Sequence, residues 1–176
     1  MRQNKIISIR LFSGLSVFLL FATLAACSAG FFTYNGLVVN EDKLILLDSG
    51  GPHDGSWQTD DLAVMYRYTR SGDKMTFSGD IRFADRLKYN YRTLSNFDLW
   101  VHLINSENKI AGDRNLSPYR YYTEIDKIPF NQTIDLPPGI KAISFSYSGR
   151  ASEGGNNMDD QANGGIHLDF WKVPNG

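Results

Sequence analysis

Residues 62–83 read Leu-Ala-Val-Met-Tyr-Arg-Tyr-Thr-Arg-Ser-Gly-Asp-Lys-Met-Thr-Phe-Ser-Gly-Asp-Ile-Arg-Phe. From Lys74 onward, Met75, Phe77, Gly79, Ile81 and Phe83 alternate with Lys74, Thr76, Ser78, Asp80 and Arg82. A period of two is the mark of a strand with one apolar and one wet face. Leu62, Val64, Tyr66 and Tyr68 alternate in the same way with Ala63, Met65, Arg67 and Thr69. Ser71-Gly72-Asp73 lies between the two runs and reads as a turn, so the pair forms a hairpin.

The same period recurs along the chain. Leu87, Tyr89 and Tyr91 alternate with Lys88, Asn90 and Arg92, and Phe97, Leu99, Val101 and Leu103 with Asp98, Trp100, His102 and Ile104. Ser106-Glu107-Asn108 turns the chain into a short strand at Lys109–Ala111. Phe130, Gln132, Ile134 and Leu136 form a further face, stopped by Pro137-Pro138-Gly139. Ile143, Phe145 and Tyr147 oppose Ala142, Ser144, Ser146 and Ser148, and Ile166, Leu168 and Phe170 oppose His167, Asp169 and Trp171. The more continuously apolar runs Phe31–Val39 and Lys43–Asp48 predict two more strands, buried on both faces or at an edge. Ser117-Pro118 opening Tyr119–Glu124 is the one helix signal, with a strand or loop equally open. About eight short strands punctuated by Gly, Asp, Asn and Pro indicate an all-β, antiparallel β-sandwich of jelly-roll or immunoglobulin-like type.

Of the 176 residues, 42% are hydrophobic and 21% charged, a balance that supports a packed core. The net charge of −1 shows none of the basic excess of a nucleic-acid-binding protein, so nucleic acid is not an expected partner.

The N-terminus carries a second message. Arg2, Lys5 and Arg10 form a basic region, Leu11–Thr23 is uncharged and apolar, and Leu24-Ala25-Ala26-Cys27 follows. The apolar run is shorter than a comfortable membrane span and has the layout of an export signal. Cys27 is the chain's single cysteine, so no intrachain disulfide can form. Leu24-Ala25-Ala26-Cys27 resembles the lipobox of bacterial lipoproteins, with all four positions matching. The resemblance spans residues 1–28 and implies cleavage before Cys27, a diacylglycerol on its thiol and acylation of its new amino group. Residues 1–26 are then the signal peptide, 27–30 an acylated tether and 31–176 the β-sandwich domain. Cleavage removes three basic residues and leaves 15 basic and 19 acidic, a net charge of −4. A single acyl chain holds a protein only marginally, whereas two or three make a stable anchor. The resemblance places the protein in the bacterial cell envelope, and Ser28 rather than Asp after Cys27 points to the outer membrane.

Chemistry is sparser. Ser49–Asp61 gathers His53, three carboxylates and Trp57, and is expected to be a surface loop; His53 and Asp54 there could serve a metal or proton transfer. Glu153–Gly165 is rich in oxygen ligands, but where a calcium loop closes with Glu the chain has Phe170, so no metal is expected. By parity, Trp100, His102, His167 and Trp171 fall on the non-core side of two strands, and form an open ligand face if those strands are neighbours. Tyr and Arg alternate in Lys88–Arg92 and Tyr119–Tyr122, a composition that suits protein interfaces. Gly-x-Ser-x-Gly, His-Glu-x-x-His and phosphate-loop motifs are missing from the sequence, and Cys27 is committed to the anchor. The expected function is that of a membrane-anchored, non-catalytic binding or assembly subunit whose partner is another envelope protein. It needs no cofactor beyond the covalent lipid. The alternative is a glycan-binding module using Trp100 and Trp171, and the third reading is a hydrolase centred on His53 and Asp54.

Overall fold

A computed structural model describes residues 34–153 and 166–176. Ten strands are seen among them: β1 Ile45–Leu46, β2 Gly50–Gln58, β3 Leu62–Ser71, β4 Lys74–Phe83, β5 Thr93–Asn105, β6 Ile110–Asn115, β7 Tyr121–Tyr122, β8 Lys127–Asp135, β9 Ile140–Ser152 and β10 His167–Lys172. One helix, α1, covers Asp85–Asn90. All pairings are antiparallel. They build a four-stranded sheet in the order β2-β3-β4-β8 and a six-stranded sheet along β1-β9-β5-β6, with β10 also on β9 and β7 also on β5. The protein is an all-β sandwich.

The β3–β4 hairpin forms as the sequence predicts. Tyr68 faces Phe77, Val64 faces Ile81 and Leu62 faces Phe83. Gly72, with φ 61°, opens the two-residue turn at a position that an L side chain adopts only with strain. Gly79 opposes Tyr66, and a Cβ there would meet the Met65 carbonyl oxygen and come within 2.9 Å of the Tyr66 Cα. The pleat therefore needs glycine at this crossing of β3 and β4.

The apolar faces of both sheets meet in one core. Phe145 of β9 lies 6.0 Å from Phe77 and 5.6 Å from Tyr66, ring centre to ring centre, and Phe83 lies 5.2 Å from Phe97. Burying each such ring contributes roughly 1.5–3 kcal/mol. At one end a polar cluster also ties the sheets together. The Tyr147 hydroxyl donates to Asp61 Oδ2 at 2.5 Å and sits 3.1 Å from Thr59 Oγ1, while Arg86 of α1 pairs with Asp61 Oδ1. Burial, and then the hydrogen bond to the Asp61 carboxylate, push the Tyr147 phenol far above its usual range.

Several local expectations give way. Leu87, Tyr89 and Tyr91 lie not on a strand but on or beside α1: Leu87 and Tyr91 also satisfy helical i, i+4 spacing, and Tyr89 is left 79% exposed. Residues 117–124 make no helix. Ser117 Oγ instead accepts the Leu99 N–H, and Tyr121–Tyr122 add to β5. The expected surface loop Ser49–Asp61 is largely edge strand β2, held by the β3 ladder despite its glycines and proline. Of 43–48 only Ile45–Leu46 is strand, after a 3-10 turn at Glu41–Lys43. Val38 makes a single bridge to Lys109, and residues 31–33 lie outside the described residues, as do Cys27 and nearly all of the acidic run 153–165.

Candidate functional site on the outer face of the six-stranded sheet

Register across β5, β9 and β10 shows which side chains share the outer face. Directly opposed residues point the same way, and so do residues two apart on one strand. Trp100 opposes Ser146 and Asn115, and His102 opposes Ser144 and Asp113. Asp98, Ser148 and Trp171 form the next row, followed by Ser95, Arg150 and Asp169, then by Thr93, Ser152 and His167. All four residues expected on the ligand face are therefore on one face, with β9 between the two strands that carry them.

The face is not uniformly open. His102 is 1% exposed, because the N-terminal segment folds over it and sets the Tyr34 ring edge-on at 5.3 Å. Gly36 N–H donates to the Ile110 carbonyl and Val39 N–H to that of Asn108. The C-terminal turn closes from the other side: the Ser144 hydroxyl donates to the Pro174 carbonyl, and Asn175 bonds both Asn40 and Val38. His102 Nε2 lies 2.7 Å from Ser146 Oγ. Burial lowers its pKa to about 4, so the ring is neutral at pH 7. His102 is thus a buried structural residue, not part of an open ligand face. Parity placed it on the correct face but carries no information about what covers that face.

The open part lies further along β9. A groove of about 370 Å³ runs over Ser148 and Arg150, between Asn96 and Arg120 on one side and Asp169 and Trp171 on the other. Trp171 is 67% exposed. Arg150 Nε and Nη2 donate to the two Asp169 carboxylate oxygens at 2.6 and 3.0 Å. That hydrogen bonding holds the Asp169 carboxyl below its usual range, and the charge of His167 adds to the effect. Across the groove Arg120 Nη2 lies 2.9 Å from Asp98 Oδ2, and Asn115 Nδ2 donates to Asp98 Oδ1 at 2.6 Å. A bulge in β5 between Ser95 and Asp98, with Asn96 at φ 51°, re-aims this wall.

Sequence reasoning singled out Trp171 and missed Asn96, Asp98, Arg150 and Asp169. Outward parity at 148, 150 and 169 was legible, but the pairing of β10 with β9, which brings Arg150 to Asp169, is a long-range event. Arg120 appeared only within a Tyr/Arg-rich stretch.

The other predicted site does not assemble. His53 and Asp54 are consecutive on β2, so their side chains leave on opposite faces. His53 stacks on Tyr68 at 5.0 Å, whereas Asp54 makes a two-pronged pair with Arg67. Trp57 packs against Phe145 and Tyr147, and the third carboxylate, Asp61, belongs to the Tyr147 cluster. Among the described residues no group of three His, Cys, Asp or Glu side chains is placed to hold a metal ion, and no helix is long and apolar enough to cross a membrane.

No family model, curated protein or solved structure matches this chain. The functional reading therefore rests on the groove and on the N-terminal sequence.

Proposed function

We propose that this chain is a bacterial envelope lipoprotein, anchored through acylated Cys27 to the outer membrane. It acts there as a non-catalytic binding or assembly subunit that engages another envelope component through the uncovered part of its six-stranded sheet. The observation that carries this reading is the groove beside Trp171. An exposed indole and two arginines, each already oriented by a carboxylate, are concentrated beside the part of that face that residues 34–40 and 174–175 cover. Tryptophan, tyrosine and arginine are the side chains that dominate binding surfaces. Tyr121, in the Arg150 row, extends the patch. The chain enters the described domain at Tyr34, beside His102, whereas Arg150 lies six residues beyond Ser144 on β9, about 20 Å away.

The test is a photocrosslinking residue placed at 171 in living cells, with one at Thr76 on the four-stranded sheet as control. A discrete adduct from position 171 and none from position 76 supports the reading. Identical adduct patterns from both positions refute it. A glycan ligand is the second reading, favoured by the flat indole beside the Arg150–Asp169 pair.

A further inference from the structure

We infer that the corner of the outer face where the chain enters the domain lies against a lipid bilayer, with Leu37, Val38, Leu46 and Val173 set into its surface. This inference rests on the reading of Cys27 as the acylated anchor and deepens it by naming the part of the domain that touches the membrane.

Among the described residues, five Leu, Ile or Val side chains are left well exposed: Leu37, Val38, Leu46, Ile166 and Val173. Four of the five meet at this one corner. Asn175 Nδ2 donates to the Val38 carbonyl at 2.8 Å, and Asn175 Oδ1 accepts the Asn40 N–H at 2.9 Å, so the turn that follows Val173 is held against Val38. The Ser144 hydroxyl fixes Pro174 over β9. Leu46 opposes Ala142, one strand across and two residues along from Ser144, which sets the two Cα atoms roughly 8 Å apart. On the same face Val39, Ile104, Ile110 and Ala142 form a small second core. The exposed aliphatics therefore continue a packed cluster outward, unlike single apolar residues scattered over a surface.

Two observations select the occupant. The first is the length of chain before the domain. Acylated Cys27 precedes Tyr34 by seven residues, which at full extension span at most about 25 Å, and Leu37 follows three residues later. The bilayer is therefore within reach of this corner. The second is composition. Leu and Val are under-represented at protein hot spots, which favour Trp, Tyr and Arg, and these four residues include none of those. Acyl chains ask only for non-directional apolar contact. Lysines flank the patch: Lys109 bridges to Val38, the Lys141 carbonyl accepts the Leu47 N–H, and Lys172 precedes Val173. Lysine stems lie along apolar surface while the ammonium stays in water. Asp42 pairs with Lys43, Glu107 pairs with Lys109, and Glu41 adds a further negative charge. The corner is thus close to electrically balanced, and its aliphatic side chains carry the contact.

The test uses the full acylated chain in vesicles of phosphatidylethanolamine and phosphatidylglycerol. Acylation blocks Cys27, so Val38→Cys, Leu46→Cys, Val173→Cys and Thr76→Cys each supply a single reactive thiol for an environment-sensitive dye. Spin-labelled lipid should quench the dye at 38, 46 and 173 and leave the one at 76, on the four-stranded sheet, unquenched. Raising the salt to about 0.5 M should not reverse the quenching, because screening weakens only the electrostatic part of binding. Adding Val38→Asp and Leu46→Asp together should abolish quenching at 173, since charge is costly in the bilayer, whereas proximity through the tether alone would preserve it. All these side chains are exposed, so unchanged melting temperatures confirm that the variants fold. Unquenched dyes at 38 and 46, or quenching at 173 that survives the two Asp substitutions, overturn the inference. A protein adduct from a photocrosslinking residue at 46 in cells, without quenching, gives the patch to a protein and overturns it as well. Mass spectrometry of the N-terminal peptide separates the two readings. With lipid found on Cys27, such failures remove the membrane-contact surface alone; a free Cys27 thiol removes the anchor and this inference together.

Discussion

Acidification should destabilise this protein through one buried ring. His102 is 1% exposed beneath Tyr34, with Ser144 and Ser146 beside it on β9 and Asp113 opposite it on β6. Its pKa falls from 6.5 to about 4, and the cause is burial. Between those values the unfolded chain binds a proton that the folded chain refuses. Stability is therefore fully present above about pH 6.5 and is lost as pH falls toward 4. At pH 5 the unfolded ring is almost fully protonated and the folded one only slightly, which corresponds to a loss of about 2 kcal/mol relative to pH 7.5. The loss approaches about 3 kcal/mol at pH 4. For a domain of this size, 2 kcal/mol is a drop of about 4–8 °C in Tm.

The assay is chemical unfolding at pH 7.5 and pH 5 of the wild type and of His102→Gln, which keeps a hydrogen-bonding group toward Ser146 but does not titrate. Carboxylates and the other two histidines contribute equally to both proteins and cancel. The wild type should lose about 2 kcal/mol more than the variant over this interval. Parallel pH profiles, within about 0.5 kcal/mol, would refute the assignment of a buried, neutral His102.

Tyr147→Phe removes the donor to Asp61 and leaves the carboxylate to Arg86 alone; equilibrium unfolding should show a loss of about 1–3 kcal/mol. Gly79→Ala places a methyl group against the β3 backbone, and a loss of about 1–3 kcal/mol is expected in the same measurement, while Gly112→Ala, whose Cβ would meet only Leu103 at 3.9 Å, should cost less than half as much. Cys27→Ser should yield an uncut precursor or a form released from the membrane fraction, read by gel mobility and fractionation; normal processing would count against the lipobox reading.

Much of the architecture was legible because strand periodicity is written locally. The alternation at 62–83, 97–104, 142–148 and 167–171 assigns each side chain to a face before any pairing is known, and those assignments match the structure, whereas Ile166 precedes β10 and is left 61% exposed. The proposed lipobox reading is local as well, resting on four residues after an apolar run. What failed was also local. Around 85–91, Leu87 and Tyr91 fit period two and period 3.6 equally, and β2 lacks the apolar alternation of a strand because its pairing comes from β3.

The sequence by itself therefore determined that the chain is an antiparallel sandwich and which side chains leave the core. Tertiary structure decided what became of them. His102 and Trp171 have the same parity and share one face, yet one is buried beneath Tyr34 and the turn at Pro174 and the other stands open. Arg150 and Asp169 are separated by 19 positions, and only the pairing of β10 with β9 joins them. Covering a face and joining two strands are set by contacts distant in sequence, and the two-residue period carries no record of those.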